Sequence, residues 1–355
     1  MIRSSFWLVA VYLVSISSGV AAHASPLRTI PARDVERELL VPVRIQDQGP
    51  FWFALDTGIA HSVIDGNMIK DLRLEVREQD PKHKVTPAIL LDVGGLNFEA
   101  PLDVLDIGAA EYQRGYDQPL VGLLGMDFFS KFCVTLDYDA QVVTIEDPSV
   151  NVQPAGTKSI PLTVRDSLPY FEATIKVPGH SAIRRFFMLD TSTGDALNDD
   201  AFAHLDRAAI GPDLGRAEFF VIGSYRFRGI NGTSGSSKVG GELLHRFRVT
   251  IDVSHNRLFL EPSRHFGDSF LFDTSGLDLE RSEDGLKILR VFPRTPGQEA
   301  GLLSGDVITS IDGESAGAFT VPQVRLMFHE VGSHNLLVDS KGEHKSVELK
   351  LRTLL

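Results

Sequence analysis

The chain has 355 residues, enough for two or three domains with sizeable cores, and its net charge at pH 7 is −12. That acidic balance argues against nucleic acid and anionic membranes as partners, because both reward clustered Lys and Arg. The single cysteine, Cys133, excludes an intrachain disulfide. Its position within the segment "FCVTL" predicts a small, packed side chain.

Residues 1–24 are predicted to be a signal peptide. Arg3 supplies a basic n-region, residues 6–16 form an apolar h-region, and small residues at Ala22 and Ala24 precede a cleavage site at Ser25. The apolar run is short for a membrane span, and no later segment is long enough to be one. We therefore expect an exported protein, periplasmic or secreted, without integral membrane insertion.

An apolar strand ending in an aspartate occurs twice. In "FWFALDTGIAHSVID" a buried strand over residues 51–55 is predicted to end at Asp56. In "RFFMLDTSTGDAL" a second such strand ends at Asp190. An ionised carboxylate in such surroundings is costly unless it is hydrogen-bonded or paired, so each aspartate needs a partner.

The repetition continues downstream, where both copies end in a predicted β-hairpin: "FCVTLDYDAQVVTIEDP" and "FRVTIDVSHNRLFLEP". We expect two mainly β lobes, residues 25–150 and 151–265, joined by a linker rich in Pro and Gly. Helices are sparse, and the best candidates lie near residues 66–72 and 199–205.

On "LDTGIAHSVI", "VGLLGMDFF" and "LDTSTGDAL", residues 34–262 resemble the pepsin and retropepsin aspartic peptidases. The resemblance implies two closed β-barrel lobes that form a pseudo-dimer within one chain, and therefore a monomer. It also implies a site without metal or cofactor. The catalytic pair would be Asp56 and Asp190, with supporting residues Thr57, Gly58, Thr191, Ser192 and Gly122.

Paired carboxylates suit peptide hydrolysis. Two carboxylates about 3 Å apart repel by roughly 5 kcal/mol at an effective dielectric near 20, so one of them holds a proton while the other is a base. The base activates a water, and the protonated partner binds the peptide carbonyl. We expect Thr57 and Thr191 to hydrogen-bond across the lobe interface. Gly58 lets a backbone N–H reach the carboxylate, a position that Ser192 fills in the second copy.

The flap that covers substrate in this family should fall near residues 77–87, a stretch without the family's usual Gly or Tyr. A serine peptidase is a rival interpretation, with His61, Asp103 or Asp106, and Ser234 in chymotrypsin order. It leaves the duplicated Asp motif unexplained. Asp200 and His204, four residues apart, could hold a metal, but no third ligand is evident nearby.

After residue 265 the pattern changes to a strand, a Pro-containing turn, a short helix, Gly-Asp, a strand and an Asp-Gly turn over residues 289–313. Residues 268–355 resemble an α+β PDZ domain of the bacterial type. The resemblance implies capture of an extended peptide at a sheet edge and along a helix over residues 321–331. The loop that receives the terminal carboxylate would comprise Ser275, Gly276, Leu277, Asp278 and Leu279, with the two leucines shaping an apolar pocket.

Two functional hypotheses follow. The first is an exported aspartic endopeptidase that acts on polypeptide substrates, with a PDZ domain that recruits them or gates the cleft. The second is a catalytically inactive scaffold of the same fold that binds peptides or protein C-termini through the PDZ domain. The two intact Asp-Thr pairs favour the first hypothesis, whereas Ser192 and the unusual flap favour the second.

Overall fold

The computed structural model describes residues 27–81, 83–107, 119–205, 214–270 and 273–352. The predicted signal peptide lies outside the described residues. Within them, no helix is long and apolar enough to cross a membrane.

The first lobe is built almost entirely of short strands. The long strand over residues 48–55 is exposed at its start and fully buried over its last three residues, directly before Asp56. The described strands are β1 (Arg28–Pro31), β2 (Arg33–Val35), β3 (Glu38–Ile45), β4 (Gln48–Leu55), β5 (Val63–Asp65), β6 (Arg77–Asp80), β7 (His83–Val85), β8 (Ile89–Val93), β9 (Leu96–Ala100), β10 (Asp103–Leu105), β11 (Leu120–Leu124), β12 (Cys133–Asp137) and β13 (Val142–Glu146), and the helices are α1 (Met68–Asp71) and α2 (Met126–Phe129).

The second lobe repeats this plan. Its sheet closes on itself, because β16 pairs with β17 on one side and with β19 on the other. Its strands are β14 (Ile160–Pro161), β15 (Thr163–Arg165), β16 (Leu168–Lys176), β17 (Ile183–Leu189), β18 (Leu197–Asn198), β19 (Leu214–Ile222), β20 (Tyr225–Thr233), β21 (Lys238–Val239), β22 (Phe247–Asp252) and β23 (Arg257–Pro262), with helix α3 (Gly241–Leu244) and 3₁₀ helices Asp200–His204 and Val253–His255.

A six-stranded sheet shared by the lobes joins them, in the order β1-β13-β12-β22-β23-β14. The two predicted hairpins, β12–β13 and β22–β23, meet at its centre with Val134 opposite Ile251. There the hydroxyls of Thr135 and Thr250 are 2.8 Å apart. One apolar core runs through both lobes, so they form a single folded body. This core includes Val134, the neighbour of Cys133.

The C-terminal domain has a sheet and an apolar core of its own. Strand β24 (Leu277–Ser282) lies at the edge of this sheet, next to β25 (Gly285–Val291) and beside the helix α5 (Val321–Met327). The elements are β24 (Leu277–Ser282), β25 (Gly285–Val291), α4 (Pro296–Glu299), β26 (Val307–Ile311), β27 (Glu314–Ser315), the 3₁₀ helix Ala316–Ala318, α5 (Val321–Met327), β28 (Gly332–Ser340) and β29 (Glu343–Leu351).

Several predicted helices are shorter than expected. The helix predicted over residues 66–72 is the single turn α1, and that over 199–205 is a 3₁₀ helix. The prediction of a helix to residue 331 was wrong, because α5 ends at Met327. The carbonyl of Phe328 there accepts the backbone N–H and the hydroxyl of Thr274, at 2.9 and 2.8 Å, and so ties the helix end to the start of the domain.

A hairpin does form where the flap was expected. Strands β6 and β7 pair antiparallel, with Asp80 opposite His83, and the side chains of β6 are exposed. His83 Nε2 lies 2.9 Å from Asp103 Oδ1 on the neighbouring strand β10, which anchors one arm of the hairpin. The turn includes Lys82, which lies outside the described residues.

Candidate active site

Asp56 and Asp190 occupy the same position in the two copies of the fold. Asp56 directly follows β4, and its N–H donates to the carbonyl of Leu124 on the parallel strand β11 at 2.9 Å. Asp190 directly follows β17, and its N–H donates to Val239 on the parallel strand β21 at 3.0 Å. Each aspartate is therefore fixed where a strand leaves its sheet, next to a buried neighbour strand.

Two threonines bind the aspartate loops to each other. The N–H of Thr57 donates to Oγ1 of Thr191, and the N–H of Thr191 donates to Oγ1 of Thr57, both at 3.1 Å. Each hydroxyl donates in turn to a carbonyl of the opposite lobe, Thr57 to Leu189 and Thr191 to Leu55, both at 2.6 Å. Both threonines are buried, and the sequence led us to expect such bonds across the interface.

The two carboxyl groups lie close together in a buried site. Asp56 is 5% exposed and Asp190 is 3% exposed. A Cβ built on Gly58 would lie 2.8 Å from Oδ1 of Asp190, so this loop approaches the opposite carboxylate as closely as a residue without a side chain allows. The N–H of Gly58 donates to Oδ1 of Asp56 at 2.7 Å.

The electrostatics of the pair favour a proton on Asp56. Burial raises the pKa of Asp56 to about 6, and the adjacent charge of Asp190 adds to this shift. The hydroxyl of Ser192, the N–H of Gly58 and the charge of Lys238 act in the opposite direction on this pKa. At mildly acidic pH Asp56 therefore holds a proton.

Ser192 keeps the donor that a glycine would supply. Its N–H donates to Oδ1 of Asp190 at 3.2 Å, and its hydroxyl lies 3.1 Å from the same oxygen. The single hydroxyl proton can serve either carboxyl group, since it also lowers the pKa of Asp56. The departure from glycine therefore adds a donor to the site and leaves the backbone hydrogen bond in place.

Gly122 and Gly125 have different roles in the first lobe. A Cβ on Gly122 would lie 2.1 Å from the ring of Phe53, so Gly122 allows β11 to pack on β4. Gly125, which follows the same strand, contacts the aspartate loop directly, and its N–H donates to Oγ of Ser62 at 3.0 Å. Ser62 Oγ donates to Asp127 at 2.6 Å. Sequence reasoning missed Ser62, Gly125 and Asp127 as supports of this loop.

Lys238 is the functional candidate that sequence reasoning overlooked. Its Nζ lies 2.8 Å from Oδ2 of Asp190, and the lysine side chain is one-third exposed. Aligning "LLG" at residues 123–125 with "KVG" at residues 238–240 would have placed Lys238 beside the second aspartate.

The His–Asp contact that the rival serine peptidase needs is not formed between His61 and Asp103. The partner of Asp103 is His83 rather than His61, and His61 is exposed. Asp106 lies 3.4 Å from the side-chain amide of Asn67. Asp200 pairs with Arg185, and the side chain of His204 is not among those described.

A cavity of about 680 Å³ lies away from the aspartate pair, between the two lobes and the C-terminal domain. Its lining includes Glu36 from lobe 1, Asp195 from lobe 2 and Asp273 and Arg325 from the C-terminal domain. Arg325 Nη1 donates to Glu36 at 2.7 Å across it. The C-terminal domain is thereby held against the base of the lobes.

Comparison with known proteins identifies the C-terminal domain. Residues 276–351 match the PDZ domain family. This part of the chain is a PDZ domain. Among solved structures, an aspartic proteinase from Irpex lacteus is similar with 14% sequence identity, over 69% of this chain and the whole of that chain, at a TM-score of 0.43. The curated proteins include no match to this chain.

The loop of the PDZ domain that is predicted to receive a terminal carboxylate has N–H groups that hydrogen-bond to side chains of the same segment. The N–H of Ser275 donates to Asp273 at 2.7 Å, and the N–H of Leu277 donates to Oγ of Ser275 at 3.1 Å. Leu277 and Leu279 are buried in the domain core, whereas Asp278 lies 3.9 Å from Arg290. The positive φ of +68° at Gly276 makes the turn into β24.

Proposed function

We propose that this protein is an exported aspartic endopeptidase that hydrolyses polypeptides with the Asp56/Asp190 pair. The observation that carries the proposal is the reciprocal hydrogen bonding of Thr57 and Thr191, which brings two buried carboxyl groups from two copies of one motif together. An isolated buried carboxylate would be costly to retain, whereas a pair that shares a proton is the arrangement that water activation requires.

In the proposed reaction the ionised carboxylate takes a proton from a water molecule while that water attacks the peptide carbonyl carbon. The protonated carboxyl group gives its proton to the carbonyl oxygen, and a neutral tetrahedral diol results. Transfer of a proton to the amide nitrogen then lets the C–N bond break. The proton taken up by one carboxyl group matches the proton released by the other. Because both half-sites come from one chain, we propose that the protein is a monomer.

We propose that the PDZ domain recruits peptide substrates or gates access to the cleft. This proposal is supported by the position of β24 at the edge of its sheet and beside helix α5, since an extended peptide binds to a PDZ domain by adding a strand to a sheet edge. The N–H groups of Ser275 and Leu277 are already bonded within their loop, so a terminal carboxylate must displace the side chain of Asp273 or Ser275. Binding of an internal extended segment needs no such displacement.

Cleavage of an unfolded protein mixture by residues 25–355 from pH 3 to 8 tests the proposed function. Asp56→Asn and Asp190→Asn should each abolish cleavage, while Asp166→Asn, at an exposed turn with positive φ in lobe 2, should not. A protein that is folded but cuts nothing at any of these pH values would instead support the inactive scaffold. Export is tested separately, by finding Ser25 as the N-terminus of the mature chain.

A further inference from the structure

The two half-sites differ in charge. In lobe 1, Leu124 lies opposite Leu55 in the parallel pairing of β11 with β4, and Leu123 precedes it. In lobe 2, Val239 lies opposite Leu189 in the pairing of β21 with β17, and Lys238 precedes it. Leu123 and Lys238 are therefore equivalent positions, one apolar and one cationic.

The cation reaches only one of the two carboxyl groups as a hydrogen-bond donor. Lys238 Nζ donates to Oδ2 of Asp190 at 2.8 Å, a distance typical of a charge-assisted bond. Oδ1 of the same group accepts the N–H of Ser192, just as Oδ1 of Asp56 accepts the N–H of Gly58. The backbone donors are thus matched between the lobes. Lys238 and the hydroxyl of Ser192 have no counterpart in lobe 1, and of these two groups only Lys238 carries a charge.

From this asymmetry we propose that Lys238 is a positioning residue that fixes Asp190 as the ionised member of the pair and leaves the proton on Asp56. The inference deepens the proposed function and rests on it. It assigns the roles that a symmetric pair leaves open: Asp190 takes the proton from the attacking water, and Asp56 donates its proton to the peptide carbonyl oxygen.

The groups that face the pair support this assignment. Among the described residues, the charged groups that shift the pKa of Asp56 are Asp190 and Lys238, and the hydroxyl of Ser192 is shared between the two carboxyl groups. Asp190 is 97% buried, and an ionised carboxylate there needs a counter-charge. Lys238 supplies it, whereas Asp56 has no equivalent cation on β11, and burial raises the pKa of Asp56 to about 6.

The test compares residues 25–355 with Lys238→Leu, which installs the residue of the other lobe, and with Lys238→Arg, which keeps the charge. Lys176→Leu is the control, because it removes a lysine paired with Glu218 elsewhere in lobe 2. Two properties are measured across pH 4–9: the carboxyl ¹³C shifts of Asp56 and Asp190, and kcat/KM on a cleaved peptide.

We expect the Asp56 carboxyl group to take up a proton near pH 6 while Asp190 is ionised. Because a cation within bonding distance favours ionised carboxylates, Lys238→Leu should raise the Asp56 midpoint and move the kcat/KM profile to higher pH by about one unit or more. Lys238→Arg should have the Asp56 midpoint and the kcat/KM profile of the wild-type protein, and Lys176→Leu should change neither of them.

The proposal is overturned if Asp190 is the group that is protonated near pH 6, or if Lys238→Leu lowers kcat/KM without moving the profile or the midpoint. If Lys238→Leu does not fold, Lys238→Gln takes its place with the same expectations. An inactive wild-type protein would overturn the proposed function alone, since the NMR titration still reports which carboxyl group Lys238 keeps ionised.

Discussion

Thr57 and Thr191 follow the aspartates of the two lobes, and each donates its N–H to the other's hydroxyl at 3.1 Å. Their loops carry the two buried aspartates, so the position of each carboxyl group depends on a hydrogen bond made by the opposite lobe. Stability and the geometry of the candidate site are therefore coupled at this contact.

Replacing Thr191 with Val should destabilise the protein and reduce cleavage together. The change removes the hydroxyl that donates to Leu55 and accepts from Thr57, and each buried group left unpaired costs about 1–3 kcal/mol. Urea unfolding measures this loss. Thr191→Ser keeps the hydroxyl and should retain most of the stability; equal losses in the two variants would contradict the assigned role of the hydroxyl.

Gly58→Ala should impair cleavage far more than folding. The added Cβ would lie 2.8 Å from Oδ1 of Asp190 and would push the two carboxyl groups apart, while the backbone φ of Gly58 is open to alanine. A displacement of about 1 Å at a reacting group can cost roughly a hundredfold in rate. Gly267→Ala, where a Cβ meets no atom within 4 Å, should leave kcat/KM unchanged. Full activity in Gly58→Ala would argue against the close approach.

Asp56 should make the protein less stable as the pH rises. Its pKa is raised to about 6 in the folded state, so between about pH 4 and 6 the folded chain keeps a proton that the unfolded chain has released. Stability from this group is present at low pH and is lost as pH rises through 6, by about 3 kcal/mol. Asp56→Asn should remove that decline in a series of urea titrations from pH 4 to 8.

Burial likewise raises the pKa of Asp273 to about 6. This contribution is the same in the wild-type protein and in Asp56→Asn, so it cancels when one free energy of unfolding is subtracted from the other. If the difference in free energy of unfolding between the wild-type protein and Asp56→Asn does not change between pH 4 and 6, the protonation of Asp56 is contradicted.

Arg246 should be critical for stability although it is not part of the aspartate pair or of the loops that hold it. It is 1% exposed, pairs with Glu242 at 2.9 Å, stacks on Phe270 and donates to carbonyls of the segment 265–269 that leads to the PDZ domain. Arg246→Met removes the donor from these carbonyls, although Glu242 keeps its ion pair with Arg37, and should cost about 3 kcal/mol in urea unfolding. Arg248→Ala, at a half-exposed position on β22, the strand that follows Arg246, should cost at most about 1 kcal/mol.

The repeat and the aspartate pair could be predicted from the sequence because both depend on local patterns: apolar strands that end in Asp-Thr, and hairpins with matching residues. The contact between Lys238 and Asp190 could not be derived in the same way. The two residues are 48 positions apart along the chain, and their contact depends on the parallel pairing of β21 with β17 and on a long side chain that reaches past its own strand.

Arg246 was missed for a related reason. In the sequence it looks like any charged residue that precedes a strand. Its contribution to stability comes from hydrogen bonds to residues 265–269, a segment that folds back over it. The length of α5 was overestimated because Thr274, which binds the helix end, belongs to a distant part of the sequence.

The most direct test of the central claim is the binding of a peptide analogue that carries a hydroxyl in place of the scissile carbonyl, measured by calorimetry at pH 5. Such a group mimics the tetrahedral intermediate and binds between paired carboxyl groups. We predict one molecule bound per chain, with affinity lost in both Asp56→Asn and Asp190→Asn. Binding that survives both substitutions, or that needs two chains for each molecule, would contradict a complete catalytic pair within one chain.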